Sequence, residues 1–409
     1  MRVQELWLQR IKPNSFERMS KLNITQTDNL FVANTYKRFP VELVSGKGSY
    51  VKDANGKEYI DMGSGIGVTT FGIADDEWKN AVMAQLETLQ HTSNLYYTEP
   101  CAALAEMLCT RTGMKKVFFS NSGAESNECA IKVARKYAQD KKGSDYYTII
   151  TLEKSFHGRT LTTLAATGQD HFHQLFQPLT PGFVHTPAND IEALENAVKA
   201  NKVAGIMIEC IQGEGGVVAL DESFIKAAYE IAQREDIVLI IDEVQTGNGR
   251  CGKLYSYMNF GITPDVVTTA KGIGGGLPLG ACILGDKVKD VLGFGDHGST
   301  FGGNPIACAG AISIIERIDD TLLTEVNEKS KMIFDTFNNC KGVESVSGMG
   351  LMVGIKTVKP AGEIVKKCIE KGVLCLTAKD KVRLLPALNI PKDVLARAIE
   401  VLKEVCEED

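Results

Sequence analysis

The chain has 409 residues, 44% hydrophobic and 23% charged, which is ample for a large core and most naturally two domains. Its net charge of −6 is spread along the chain without an arginine-rich tail, so no strong positive field invites nucleic acid, and no apolar run reaches the ~18 residues that would span a bilayer. Eleven cysteines between Cys101 and Cys406, with no CxxC pair and no zinc spacing, read as reduced thiols of a cytoplasmic protein without a metal site.

The first residues, MRVQELWLQRIKPNSFERMSK, lack the apolar stretch of a secretory signal, and Glu5 and Glu17 argue against a transit peptide. Residues 45–61 read as a hairpin turning at Asn55-Gly56. Strands are then predicted over 116–120, 147–152, 203–209, 237–242, 266–269 and 281–284, with helices over 125–139, 191–200 and 223–234 between them. The run IVLII is apolar on consecutive positions, as a parallel strand covered on both faces requires. This alternation predicts an α/β fold with a mostly parallel sheet and ligands at the carboxyl ends of its strands. Beyond about residue 310 the pattern changes to helices over 309–318 and 325–338, strands near 343–346 and 351–357, and helices over 362–371 and 391–404. The last helix carries a stripe of Val394, Leu395, Ala398, Ile399, Leu402 and Val405, with Pro391 suited to its first turn. Together these read as a smaller α+β domain.

The chemistry concentrates in a few segments. IIDEVQTGNGR at 240–250 ends a buried strand on Asp242, a costly position for a carboxylate unless a charged group meets it. Lys271 follows within TTAKGIGGGLPLG, between a strand and a glycine run where backbone can approach a ligand closely. A lysine able to form an imine, paired with an acid able to face a pyridinium nitrogen, is what pyridoxal chemistry needs. KVFFSNSGAESNECAIKVARKYAQD at 116–140 runs from strand through a small-residue turn into a helix. Ser122 and Glu125 stand there at capping-box spacing, and Ser122-Gly123-Ala124 offers backbone N–H groups suited to a phosphate. In KSFHGRT at 154–160, Phe156 can stack on a planar ring and Arg159 can pair a carboxylate, although singly they also suit a core and a surface. IECIQGEGGV at 208–217 places Glu209 and Glu214 around glycines, DHGSTFGGNP at 296–305 is a hydroxyl-rich loop before a helix, and KVRLLPALNI at 381–390 buries Arg383 in need of a partner. GNGRCG at 247–252 fits G-x-G-x-x-G, but DEVQT separates it from the strand and no apolar helical face follows, which excludes a dinucleotide site.

Taken in this order, these segments resemble the class III (ornithine-type) aminotransferases, pyridoxal 5′-phosphate enzymes of fold type I, over about residues 30–405. The resemblance implies a PLP-dependent transferase fold: a large domain at 61–309 with a mostly parallel seven-stranded sheet, a small α+β domain at 310–409, and an N-terminal segment, 1–60, packing with the small domain. It implies that Lys271 carries the cofactor and shuttles a proton and that Asp242 pairs the ring nitrogen. Val244 and Phe156 flank the ring, Gln245 bonds its phenolic oxygen, and Ser122, Gly123 and Ala124 hold the phosphate. Thr300, with Ser299, arrives from the second subunit of a homodimer with shared active sites. Arg159 binds the distal substrate carboxylate, and Arg383 binds the carboxylate next to the keto group of 2-oxoglutarate, with Glu214 pairing Arg383 when an ω-amine occupies the site.

Within the class, ANTYKRFPV at 33–41, HTSNLYYTEP at 91–100 and NSGAESNECAIK are most similar to the acetylornithine aminotransferases of arginine biosynthesis. That resemblance implies transfer of the δ-amino group of N2-acetylornithine to 2-oxoglutarate. Ornithine, succinylornithine, succinyl-diaminopimelate and 4-aminobutyrate remain alternative donors, and a PLP-fold decarboxylase or aminomutase or a non-catalytic binder remains outside the reaction class. Cys210, Ser126 and Cys129 depart from the family pattern without removing a functional group. FGIADDEW at 71–78 departs where the substrate end is shaped.

Overall fold

The computed structural model describes residues 23–408; the N-terminal segment read above for targeting signals lies outside them. Two compact units are present, one of residues 23–45 with Val51–Glu58, the other of Gly46–Tyr50 with Tyr59 onward. In the first, Asn23 closes a capping box with Gln26 at the start of helix Ile24–Phe31. The expected turn forms at Asn55-Gly56: Gly56 adopts φ 83°, and Asp53 accepts the backbone N–H groups of Asn55 and Lys57.

The second unit is organised on a seven-stranded sheet. Its strands are β1 (Lys116–Ser120), β2 (Thr148–Leu152), β3 (Phe183–Thr186), β4 (Val203–Ile208), β5 (Val238–Asp242), β6 (Val266–Thr269) and β7 (Gly280–Leu284), in the order β1-β7-β6-β5-β4-β2-β3. The pairings β4–β5, β5–β6, β2–β4 and β2–β3 are parallel, and β7 runs antiparallel to both neighbours. Six of these strands stand within a residue or so of their predicted positions. The seventh, β3, is a short half-buried edge strand, and its four residues carry too little apolar pattern to be read.

Its longer helices are α1 (Asp76–Leu86), α2 (Glu99–Thr112), α3 (Gly123–Lys142), α4 (Ile191–Ala200), α5 (Glu222–Arg234), α6 (Pro305–Arg317), α7 (Asp320–Phe337), α8 (Ala361–Glu370) and α9 (Lys392–Glu407). All five residues of β5 are buried, because helices cover both faces of the sheet. Val238 and Ile240 point into the core shared with Ala130 and Ala134 of α3. Leu239 and Ile241 point into the core shared with Phe224, Ile225 and Ala228 of α5. Each fully buried aliphatic side chain contributes about 1.5–3 kcal/mol, so this strand is a poor place to move.

A second sheet, β8 (Val343–Met349), β9 (Met352–Thr357), β10 (Leu376–Ala378) and β11 (Lys381–Leu384), has the antiparallel order β8-β9-β11-β10. The stretch that buries Arg383 is therefore a central strand. Pro391 stands at the N-cap of α9, one residue earlier than the sequence suggested, and the stripe from Val394 to Val405 is buried as read.

Arg250 fastens the loop after β5 to this second sheet. It is 3% exposed, and its Nη1 donates to the carbonyls of Leu351 at 3.2 Å and Pro386 at 2.5 Å, while its own carbonyl accepts from Leu351 N at 2.9 Å. Burial without a carboxylate pushes its pKa down to about 10. Arg250→Leu should strand two buried carbonyls and lower the stability of the fold by about 2–4 kcal/mol. The check is the urea midpoint, and an unchanged midpoint would show that Arg250 ties nothing.

Candidate active site

Parallel pairing brings the key segments together. Asp242 ends β5 in register with Thr268 of β6, and Lys271 lies three residues beyond Thr268, so both open at the same edge of the sheet. Asp242 is 3% exposed. Its Oδ2 accepts from Asn127 Nδ2 and His157 Nδ1, each at 2.8 Å, and its Oδ1 accepts from Val244 N at 3.0 Å. Lys271 has φ 47°, an unfavourable value for a side chain with a Cβ and a kind of strain that recurs at functional sites. Its loop is braced by Asn248, which donates to Thr269 Oγ1 and the Ala270 carbonyl, by Thr70 on the Gly272 carbonyl, and by Trp78 Nε1 on the Gly274 carbonyl. The divergent FGIADDEW segment thus supports the lysine loop and lines a cavity of about 200 Å³ with Gly275, Gly276 and Ile314.

The Lys271 ammonium makes no hydrogen bond or ion pair among the described residues. Burial, reinforced by the Arg383 charge, lowers its pKa against the opposing pull of Glu214, Asp242 and Glu209. A depressed value leaves more of the amine neutral and nucleophilic. Glu209, also buried, accepts from Phe156 N at 3.2 Å, and burial together with Asp242 holds its pKa well above the usual range.

The start of α3 completes one end. Ser122 caps it by accepting from Glu125 N at 3.2 Å. The return half of the expected capping box shifts by one residue: the Glu125 carboxylate takes the N–H of Asn121, at 2.5 Å. A Cβ on Gly123 would stand 2.6 Å from Val244 Cγ1, so only glycine lets Val244 lie against this helix end. Ala124 packs against Gly158, beside Phe156 and Arg159. Arg159 is exposed and lies 5.7 Å from the Phe156 ring and 5.8 Å from that of Phe172, with no acidic partner among the described residues.

At the other side, Arg383 is 3% exposed, and its Nη1 donates to Glu214 Oε1 at 2.6 Å, Gln245 Oε1 at 3.2 Å and the Gly213 carbonyl at 3.5 Å. Its Nε is buried and has no partner among the described residues. Gln245 also donates to Glu214 at 3.4 Å. Gly213 leaves room for the Gln245 amide, which a Cβ there would meet at 2.6 Å and displace. Burial by itself raises the Glu214 pKa, but the Arg383 charge and hydrogen bond, with Lys271 and Gln245, outweigh it and hold the carboxyl below its ordinary value.

Eleven of the thirteen singled-out residues thus fall into one connected neighbourhood of this chain. Ser299 and Thr300 sit differently. Ser299 Oγ accepts from Asn121 Nδ2 at 3.2 Å and from Gly302 N at 2.9 Å, while Thr300 is exposed and makes no hydrogen bond among the described residues. The sequence reading missed Asn127 and His157 as partners of Asp242. A signal existed for Asn127, a polar residue on the same helical face as Ala130 and Ala134, where a buried amide demands a partner. For His157 the sequence carried none.

The residues present fit pyridoxal phosphate. A half-buried amine of lowered pKa, a buried carboxylate with an acceptor position beyond its three donors, a capped helix start and a flanking aromatic meet the needs of its carbonyl, ring nitrogen, phosphate and ring face.

Because the folded Glu214 carboxyl titrates below the ordinary glutamate value of 4.5, its stabilisation is fully present above that pH and is lost as pH falls through the depressed value. The stability gap between the protein and its Glu214→Gln variant should therefore be flat above about pH 5 and shrink on further acidification. Thermal midpoints across that range check this, and a gap that widens in acid would contradict the pairing.

Comparison with known proteins agrees with the geometry. Residues 31–406 match the family model for aminotransferase class-III. The chain is 49% identical over 392 residues to the acetylornithine aminotransferase of Haemophilus ducreyi, covering 95% of this chain and 100% of that protein. The N-acetylornithine aminotransferase of Stenotrophomonas maltophilia superposes with a TM-score of 0.81 at 34% identity, covering 93% of this chain and 97% of that one. An ornithine aminotransferase of Toxoplasma gondii, with partial occupancy of PLP at its active site, superposes with a TM-score of 0.90 at 28% identity over 99% and 98% of the two chains. A match running almost from end to end, around a lysine and an aspartate that the sheet brings to one edge, places the chain in the class III aminotransferases.

Proposed function

We propose that this aminotransferase moves the δ-amino group of N2-acetylornithine to 2-oxoglutarate, giving N-acetylglutamate 5-semialdehyde and glutamate, as a step of arginine biosynthesis. The observation that carries the reaction is the half-buried Lys271 amine, its pKa lowered, set among the charges of Asp242, Glu214 and Arg383. The donor rests on likeness to relatives named for acetylornithine. Bound pyridoxal phosphate supplies a carbonyl that condenses with amines and a ring that accepts electrons. Lys271 would hold the cofactor and, once released, would carry a proton from the substrate carbon bearing the amine to the carbon that was the cofactor's aldehyde. Asp242 supports the ring nitrogen, and Phe156 and Val244 confine the ring. Gln245 bonds the phenolic oxygen, and the N–H groups at Ser122, Gly123 and Ala124 bind the phosphate.

The two half-reactions present different ends to one site. Glutamate brings a carboxylate beside its amine, whereas acetylornithine brings only a CH2. Arg383 serves the first, and its 2.6 Å contact with Glu214 supports a gate that covers the guanidinium during the second. Arg159, exposed and free of acidic partners, suits the distal carboxylate that both substrates share. Incubating the protein with a panel of donors and 2-oxoglutarate should give the highest kcat/KM for acetylornithine. Borohydride should fix the cofactor to a Lys271 peptide, and Lys271→Ala should lose on the order of 10³-fold or more in turnover. A Lys271→Ala protein turning over at the unaltered rate would sink the assignment.

The proposal includes a cytoplasmic homodimer in which Thr300 and Ser299 reach the partner's phosphate site. Eleven free cysteines support a reducing compartment, and among the described residues no helix is long and apolar enough to cross a membrane. Exposed Leu95, Tyr96, Tyr97, Phe294 and Phe301 support a covered surface beside the Thr300 loop. Co-expressing Lys271→Ala with Thr300→Arg chains should restore activity to roughly half per heterodimer, since one site then carries both defects and the other neither. If heterodimers form and no activity returns, Thr300 acts in its own subunit.

A further inference from the structure

Asn127 lies five residues past the cap Ser122 on α3 and is 1% exposed. Helical rise puts it on the order of 7 Å along the axis from that cap. Both protons of its Nδ2 are engaged, one on the His157 carbonyl and one on Asp242 Oδ2, each at 2.8 Å. Its Oδ1 is buried without a partner. Turning the amide over would set that oxygen against two acceptors, so the donors fix its orientation. His157 contributes a ring N–H to the same carboxylate oxygen, and its Nε2 is likewise buried and unpartnered. Because a carboxylate only accepts, Nδ1 is the donor in this contact. The unpartnered Oδ1 is a cost that a helix position with no tie to Asp242 would shed by carrying alanine.

We propose that Asn127 is a positioning residue: it ties the Asp242 carboxylate to the helix whose first residues bind the phosphate. The distance between the two anchors of the cofactor is thereby set by one rigid element. Oδ2 is turned toward Asn127 and His157, while among the described residues Oδ1 accepts from Val244 N alone and retains a lone pair for a ring N–H. This rests on the reading that Asp242 supports the ring nitrogen. It adds that a residue touching neither cofactor nor substrate governs how well it does so.

The test is a double-mutant cycle read as the dissociation constant of pyridoxal phosphate from the apo-protein, with the visible absorption of the bound cofactor as a second readout. Asn127→Ala should weaken binding about tenfold or more. In an Asp242→Ala background the same substitution should change binding less than about twofold, because its route to the cofactor is gone. Asn127→Asp keeps the shape of the side chain, so it guards against a folding defect. By facing one carboxylate with another it should weaken binding at least as much as Asn127→Ala and shift the absorption band. Additive effects in the cycle, or wild-type binding in both Asn127 variants, would overturn the inference while leaving the reading of Asp242 intact. Unchanged binding in Asp242→Ala alone would overturn both.

Discussion

A carboxylate at the end of a strand that is buried on both faces has to be met by donors, and much of this site follows from how Asp242 meets that demand. The sheet holds Asp242 in place through Val238–Ile241, whose alternate side chains enter two separate cores. Three donors then converge from three different places: a side chain of α3, a side chain of the 154–160 segment, and the backbone of the loop that Asp242 itself begins. Satisfying one carboxylate therefore locks the capped helix start, the aromatic segment and the Val244–Gln245 turn into a single frame. Val244 lying against Gly123 closes that frame from the other side.

Buried cations are handled here in three distinct ways, and the difference separates scaffold from chemistry. Arg250 is neutralised by no acid and is held by backbone carbonyls, which suits a permanent clamp between two sheets. Arg383 has a carboxylate on one nitrogen and nothing on Nε, an arrangement that a second carboxylate can enter. Lys271 has no hydrogen-bond partner among the described residues and is pushed toward its neutral form by desolvation. An amine with a depressed pKa beside an ion pair is reactive for physical reasons that owe nothing to its motif. The strained backbone at Lys271 is borne by Asn248, Thr70 and Trp78, which hold the loop that carries it.

Much of this was legible in the amino-acid order because the signals are local. Consecutive apolar residues identify β5, since a strand covered on both faces has no polar side to show. Lys271 among glycines, Asp242 at a strand end and Ser122 at a helix start are each readable within a dozen residues. Tertiary structure decided what depends on partners distant in sequence. Asn127 reaches Asp242 across 115 positions, and no local pattern encodes such a meeting; the Arg383–Glu214 pair, 169 positions apart, was legible only through the family resemblance. The edge strand β3 draws its stability from β2 rather than from its own four residues, and Arg250 looks like a surface charge until Leu351 and Pro386 close over it. Periodicity and turn chemistry act over one or two turns of chain and so can be read directly. A buried hydrogen bond is chosen by whatever the completed fold brings within 3 Å, and only the packed sheet determines that.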